Sequence, residues 1–317
     1  MECEKKSIGF NNMTPLREKI ENIELTKNKY LKLILQIILG GTFIFSAYSK
    51  MITPGLFEIL LIDSGFIETR FIAAFLTRLL IGFELALGLL IFQPYYLKKI
   101  IIPVAIGLLV VFTFYLLYTG IILGDKENCG CFGEMIKMTP VETIFKNIIL
   151  LIIAIALYKK VKLGKTKKVL PVTITILAFL LVFLIVPIKN VKDFQFEKYT
   201  TFKGYGRVDL LEGDYLLAVF NLDCDHCQEA ATVIWELKEQ YWEIPEMFVL
   251  FYEEGDFTID NFTEVTNSDF PYSMINEITF FDLIGNSPPR IYWLSSGEIR
   301  EMWDEDFKGK VEFNFIH

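Results

Sequence analysis

Apolar residues fall into two regimes along this chain. Up to about residue 190 they form long blocks; beyond it they come in short runs of strand length. Five blocks approach the about 20 mostly apolar residues that a helix needs to cross a bilayer. They are Tyr30–Tyr48, Phe71–Phe92, Ile100–Leu123, Thr143–Tyr158 and Val169–Ile188. Thr143–Tyr158 is the shortest, and Thr139 and Pro140 before it make a plausible N-cap and first turn. The first block starts near residue 30 and no small-residue cleavage site follows it, so it reads as a span and not as a signal peptide. Buried helices of a soluble protein are a poor alternative, because five nearly uncharged runs would need a far larger protein to cover them.

The second regime predicts a mixed α/β domain. Tyr215–Phe220 reads as a strand, Gln228–Gln240 as a helix and Met247–Tyr252 as a second strand. Asn286–Arg300 reads as loop, strand, tight turn at Ser295-Ser296-Gly297, and strand. Between them, Gly255–Gly285 is long enough to hold a helical insertion. Little chain follows Trp303, so a last helix is expected to be missing. Residues 189–203 read as a short juxtamembrane linker.

Composition sharpens this division. Of 317 residues 53% are hydrophobic, yet 31 are basic and 39 acidic. Residues 195–317 hold 8 Lys/Arg against 25 Asp/Glu, net −17, whereas residues 1–194 are net +9. Nucleic acid is an unsuitable partner for the acidic part, since phosphate binding needs clustered Lys/Arg. In the first half, basic residues gather in the N-terminal segment (Lys5 to Lys32), at Lys98 and Lys99, and from Lys159 to Lys168. The first loop has only Lys50 and Arg70, and the third only Lys126 and Lys137. The positive-inside rule therefore places the N-terminus in the cytoplasm. Five spans then place loops one and three and the acidic domain outside.

There are five cysteines. On this topology Cys3 is cytoplasmic, while Cys129, Cys131, Cys224 and Cys227 face the compartment where disulfides persist. Cys224-Asp225-His226-Cys227 lies between a strand and a helix. A thiol at a helix N-terminus has its pKa lowered by unpaired N–H groups and the helix dipole. His226 adds positive charge, while Asp223 and Asp225 pull the pKa upward. The expected roles are Cys224 as nucleophile and Cys227 as resolving thiol. A structural disulfide and half of a zinc site remain as alternatives. Cys129 and Cys131, with Gly130 between them, can close only a small, strained and easily reduced ring. That suits a redox relay, with an idle pair or two metal ligands as alternatives.

Two charges lie inside the second span, Arg78 and Glu84, where a charge is costly and usually faces a bundle interior or a polar cavity. Six residues apart, they are not expected to pair. Binding a carrier such as a quinone head group and holding the bundle together are equally good readings. Ser46, Tyr48 and Lys50 close the first span and read as interfacial anchors.

The strand, C-x-x-C and helix order resembles the thioredoxin fold over about 100 residues. That resemblance implies a cis-proline beside the C-x-x-C, and the matching position is Pro289; an ordinary trans turn proline is the alternative. The membrane half resembles the DoxX/MauE family through Gly40–Lys50 with Pro54, Phe83-Glu84-Leu85, Cys129-Gly-Cys-Phe-Gly133 and Thr139-Pro140. The resemblance covers about residues 30–158 and implies a four-helix membrane bundle. MauE proteins are implicated in disulfide formation in an exported protein, and DoxX relatives in quinone-coupled sulfur oxidation.

The expected architecture is thus an α-helical membrane bundle, a four-helix DoxX/MauE-like core plus a fifth span, followed by an α/β thioredoxin-like domain. Its parts are a cytoplasmic segment (1–29), the core (30–158), a basic loop with the fifth span and linker (159–194), and the exported domain (195–317). The expected activity is thiol–disulfide exchange in a bacterial-type cell membrane. Its partners are the lipid bilayer and exported protein thiols or disulfides, its candidate cofactor is a membrane quinone, and no resident metal is expected. Metal delivery through the thiolates and a non-catalytic binding module are the competing classes.

Overall fold

The computed structural model describes residues 14–65, 67, 69–122, 132, 135–136, 138–162, 167–188 and 194–316, with side chains of the first helix described from residue 28. The chain falls into two compact units. One takes in the described residues of Met1–Tyr48, Leu80–Phe132 and Ile136–Leu181. The other takes in those of Ser49–Leu79, Gly133–Met135 and Val182–His317.

The first unit is helical. It holds most of α1 (Thr14–Ile52), α3 (Arg70–Ile91), α4 (Ile102–Leu117), α5 (Pro140–Lys160) and α6 (Val169–Ile185). Four stretches, Asn28–Ile52, Arg70–Ile91, Leu97–Gly120 and Pro140–Lys160, are long and apolar enough to cross a membrane. The fifth expected span is a helix of 17 residues, at the short end of what can span. Leu39, Phe43, Leu87, Leu90, Ile101, Leu109 and Leu157 form the bundle core. Val111, Phe114, Phe145 and Ile152 instead point outward, each more than 60% exposed. Water would penalise such a face; a bilayer accepts it. The chain is a multi-pass membrane protein. Helices α1 and α3 cross backbone to backbone: a Cβ added to Gly88 would lie 2.9 Å from the Gly40 carbonyl oxygen. Thr139 caps α5 in a capping box with Glu142, and Pro140 occupies its first turn.

The second unit is built on a five-stranded sheet of order β5-β4-β3-β6-β7. Its strands are β3 (Asp214–Asn221), β4 (Glu246–Tyr252), β5 (Tyr272–Met274), β6 (Arg290–Ser295) and β7 (Glu298–Trp303). A small hairpin, β1 (Thr201–Phe202) and β2 (Gly206–Arg207), precedes it. β3 runs parallel to β4 and antiparallel to β6. The helices are α2 (Pro54–Asp63), α7 (Asp225–Gln240), α8 (Ile259–Thr266), α9 (Glu277–Leu283) and α10 (Phe307–Phe315). This is the thioredoxin-like arrangement.

Strand alternation sends successive side chains to opposite faces. On one face Leu216, Ala218, Phe220, Val249 and Phe251 pack against α7, α8 and α10. On the other, Leu217, Val219, Phe248 and Leu250 pack against Phe280 and Phe281 of α9 and, from α2, against Leu56 and Ile59.

Three expectations need correction. A last helix does exist: Asp306 caps α10, and Val311 buries itself against the sheet. Residues 194–203 are part of the fold and not a loose linker, because Phe196 and Phe202 are buried in the second core. Lys50 is 1% exposed with its ammonium over the Phe57 ring, and Ser46 is also buried, so neither is an interfacial anchor; Tyr48 is exposed.

Candidate functional site

β3 ends at Asn221 and the chain turns into α7 at once. Cys224 is the N-cap, in extended conformation, and its Sγ accepts from the Cys227 N–H at 3.3 Å. Cys227, one turn in, is fully buried, and its Sγ accepts from the Asn221 N–H at 3.4 Å. The amphipathic period of α7 explains this. Cys227, Ala230, Ala231, Ile234 and Leu237 form its buried stripe, so the second cysteine faces the core while the first stays half-exposed at the tip.

These positions separate the two thiols chemically. Cys224 is brought down to about 7. The hydrogen bond from the Cys227 thiol contributes most, backbone N–H groups of Cys227 and His226 and the His226 charge contribute further, and burial opposes. Cys227 is held well above the ordinary thiol value by burial and by its neighbour Cys224. At neutral pH the site therefore presents one partly ionised thiol and one protonated thiol. His226 is exposed and projects beside the motif. Asp223 turns away from the thiols: its carboxylate accepts from the Gly255 N–H at 2.8 Å.

Register brings Pro289 to the same end of the sheet. Val219 of β3 pairs with Arg290 of β6, and Pro289 directly precedes it. The Pro288–Pro289 bond is cis. Pro289 and His226 line one cavity of about 470 Å³, with Glu229, Asp304 and Phe307 among its walls. Arg290 anchors the strand start by a two-pronged ion pair to Asp304, at 2.6 and 2.7 Å.

Arg78 and Glu84 have separate partners. Arg78 is buried; it pairs with Glu58 of α2 and donates to the carbonyls of Ala74, Val186 and Pro187. Four of its five guanidinium N–H groups are thus committed to protein acceptors. Glu84 is buried and accepts from the Ser46 hydroxyl at 3.1 Å. The geometry of Arg78 fits a clamp that joins α2, α3 and the segment after α6. Cys129 and Cys131 lie outside the described residues. Among the described residues no group of three or more His, Cys, Asp or Glu side chains is gathered as a metal site.

Glu58, Arg70 and Tyr292 were not among the residues singled out from the sequence. A carboxylate inside the apolar run Gly55–Ile62 was the available signal for Glu58.

A family model described as methylamine utilisation protein MauE matches residues 28–159. Among curated proteins, Protein TlpB of Flavobacterium psychrophilum is 32% identical, over 83% of this chain and 88% of its own.

Proposed function

Because the chain belongs to one family with Protein TlpB and carries a MauE region at residues 28–159, we propose that it is a membrane-anchored thiol–disulfide oxidoreductase acting on exported proteins. The observation that carries this reading is the asymmetry of the C-x-x-C: a half-exposed Cys224 thiol at about 7 beside a buried, protonated Cys227.

The chemistry follows from that asymmetry. The Cys224 thiolate attacks one sulfur of a substrate disulfide. The substrate S–S bond breaks, a mixed disulfide forms, and the other substrate sulfur leaves as a thiolate. The Cys227 thiol then loses its proton and attacks Cys224 Sγ. This closes the Cys224–Cys227 disulfide and releases the second substrate thiol. Two electrons have moved from the protein to the substrate; the reverse sequence oxidises a dithiol. The α7 N-terminus stabilises the thiolate whenever it forms, as nucleophile or as leaving group. His226 places a titratable charge at the same point.

The second pair, Cys129 and Cys131, completes the proposal as a relay. A Cys129/Cys131 dithiol would reduce the Cys224–Cys227 disulfide by the same two exchanges, or accept electrons in the other direction. A membrane quinone is the class of two-electron carrier that could serve this pair. The lysine distribution supports an N-terminus in the cytoplasm and a thioredoxin-like domain outside, where exported thiols are met.

The test is to trap the relay. In a Cys227→Ser variant the mixed disulfide cannot be resolved by its own partner. Non-reducing mass spectrometry of the membrane-extracted protein should find Cys224 joined to Cys129 or Cys131. Absence of that linkage, with Cys224 joined freely to small thiols, would remove the relay and leave the exchange at Cys224 alone.

A further inference from the structure

Thiol–disulfide exchange at Cys224 takes nothing from the first extramembrane loop, yet that loop packs on α9 and holds the segment that leads to Pro289. The contact is a row of three charges, Arg78, Glu58 and Arg70. Glu58 is 5% exposed and sits between the two guanidinium groups. Arg70 Nε donates to Glu58 Oε2 at 2.6 Å. Each arginine also donates to carbonyls at or just beyond a helix end. Arg78 takes Val186 and Pro187, just beyond α6. Arg70 takes Phe281, Ile284 and Gly285, at the end of α9. The last carbonyls of a helix have no partner within it and carry partial negative charge, so a guanidinium is well suited to close them.

The segment that Arg70 holds leads directly to the site. Four residues after Gly285 comes cis-Pro289. The hydroxyl of Tyr292, from β6, donates to the Leu283 carbonyl and helps fix the same turn. At Gly285 there is no slack, because an added Cβ would lie 2.5 Å from Asp304 Oδ1 and 2.6 Å from Arg290 Nη2. The loop bearing Pro289 is therefore pinned at its start by Arg70 and Tyr292, and at its end by Arg290 with Asp304.

We infer that Arg70 is a positioning residue for the redox site: from the first extramembrane loop it fixes the segment that presents Pro289 beside the Cys224–Cys227 turn. The inference rests on the thiol–disulfide reading for its effect on rate, though not for the fixing itself. Glu58 and Arg78 orient Arg70, and α2 seats the row by burying Leu56 and Ile59 under α9. Residues of the first loop, which belong to the same unit as the sheet, thereby set how a bulky substrate meets Cys224. The hydrogen bonds and the His226 charge that lower the Cys224 pKa lie in the Cys224–Cys227 turn of α7 and stay in place when Arg70 is changed.

The experiment uses the full chain in lipid nanodiscs, as wild type, Arg70→Gln and Arg70→Lys. Hydrogen exchange is read at the amides of Ile284–Ser287, reduction is followed with a disulfide-bonded peptide, and Cys224 is alkylated by iodoacetamide across pH. In Arg70→Gln the four amides should exchange about tenfold faster, and peptide reduction should slow by about ten- to a hundredfold, as misplacement by an ångström does. The alkylation midpoint should stay at the wild-type pH. Arg70→Lys should recover part of the rate, since it keeps the charge but cannot span three carbonyls. Wild-type exchange at Ile284–Ser287 in both variants would overturn the inference. So would alkylation and peptide reduction falling together, which marks general destabilisation. If the wild type itself fails to reduce the peptide, the thiol–disulfide reading falls, and hydrogen exchange still decides whether Arg70 holds the segment.

Discussion

Two thiols three positions apart differ in acidity because one caps a helix and the other faces a core. Thiolate is the reactive form, so alkylation of Cys224 should rise with pH through a midpoint near 7, the value set for it by its neighbours. Cys227, raised by burial, should stay unreactive over the same range. Cys227→Ala removes the hydrogen bond that lowers Cys224 most, so the midpoint should move up toward the ordinary thiol range; rates at stepped pH with mass readout check this. A midpoint unmoved by that change would assign the acidity to the helix end and His226 instead. The motif, its helix and the position of Pro289 were legible because spacing and neighbouring periodicity encode them. The part of Asp223 was not. A carboxylate beside a thiol reads as a repulsive charge, but its direction is set by a partner 32 residues away, the Gly255 N–H.

At the scale of elements, long apolar runs and strand-length runs were legible, because each carries its own period or length. The short helices were less so. α2 has ten residues, and its burial comes from packing under α9, which no local pattern announces. α10 was discounted for want of chain, yet nine residues suffice once Asp306 caps them and Val311, Phe307 and Phe315 meet the sheet. Close packing of α2 can be tested at one atom. A Cβ on Gly55 would lie 2.7 Å from Phe281 Cβ and 2.9 Å from its carbonyl oxygen. Gly55→Ala should therefore destabilise by about 1–3 kcal/mol, as overpacking does. Gly41→Ala, which meets nothing within 4 Å, should be neutral or slightly stabilising, since alanine favours a helix. Thermal unfolding of the two purified variants, followed in parallel, makes the comparison.

For the whole molecule, a chain both apolar and heavily charged separates into a helical membrane part and an acidic thioredoxin-like part. The sequence boundary near residue 195 describes composition, whereas packing divides the chain differently. Residues of the first loop join the thioredoxin-like unit, because α2 covers one face of its sheet and Arg70 closes its α9. Charge counts cannot show this, since Glu58 meets Arg70 and Arg78 only once the chain is folded. The central claim is that Cys224 and Cys227 form a couple that cycles, and a redox titration tests it most directly. The full chain is equilibrated in graded glutathione buffers and the state of each cysteine is read by differential alkylation. The account predicts one reversible two-electron transition at Cys224/Cys227, with a midpoint between about −270 and −120 mV, the range of exchanging pairs. A pair that stays oxidised below about −300 mV would be a structural staple, and a pair that never closes would not be a redox couple; either result contradicts the account.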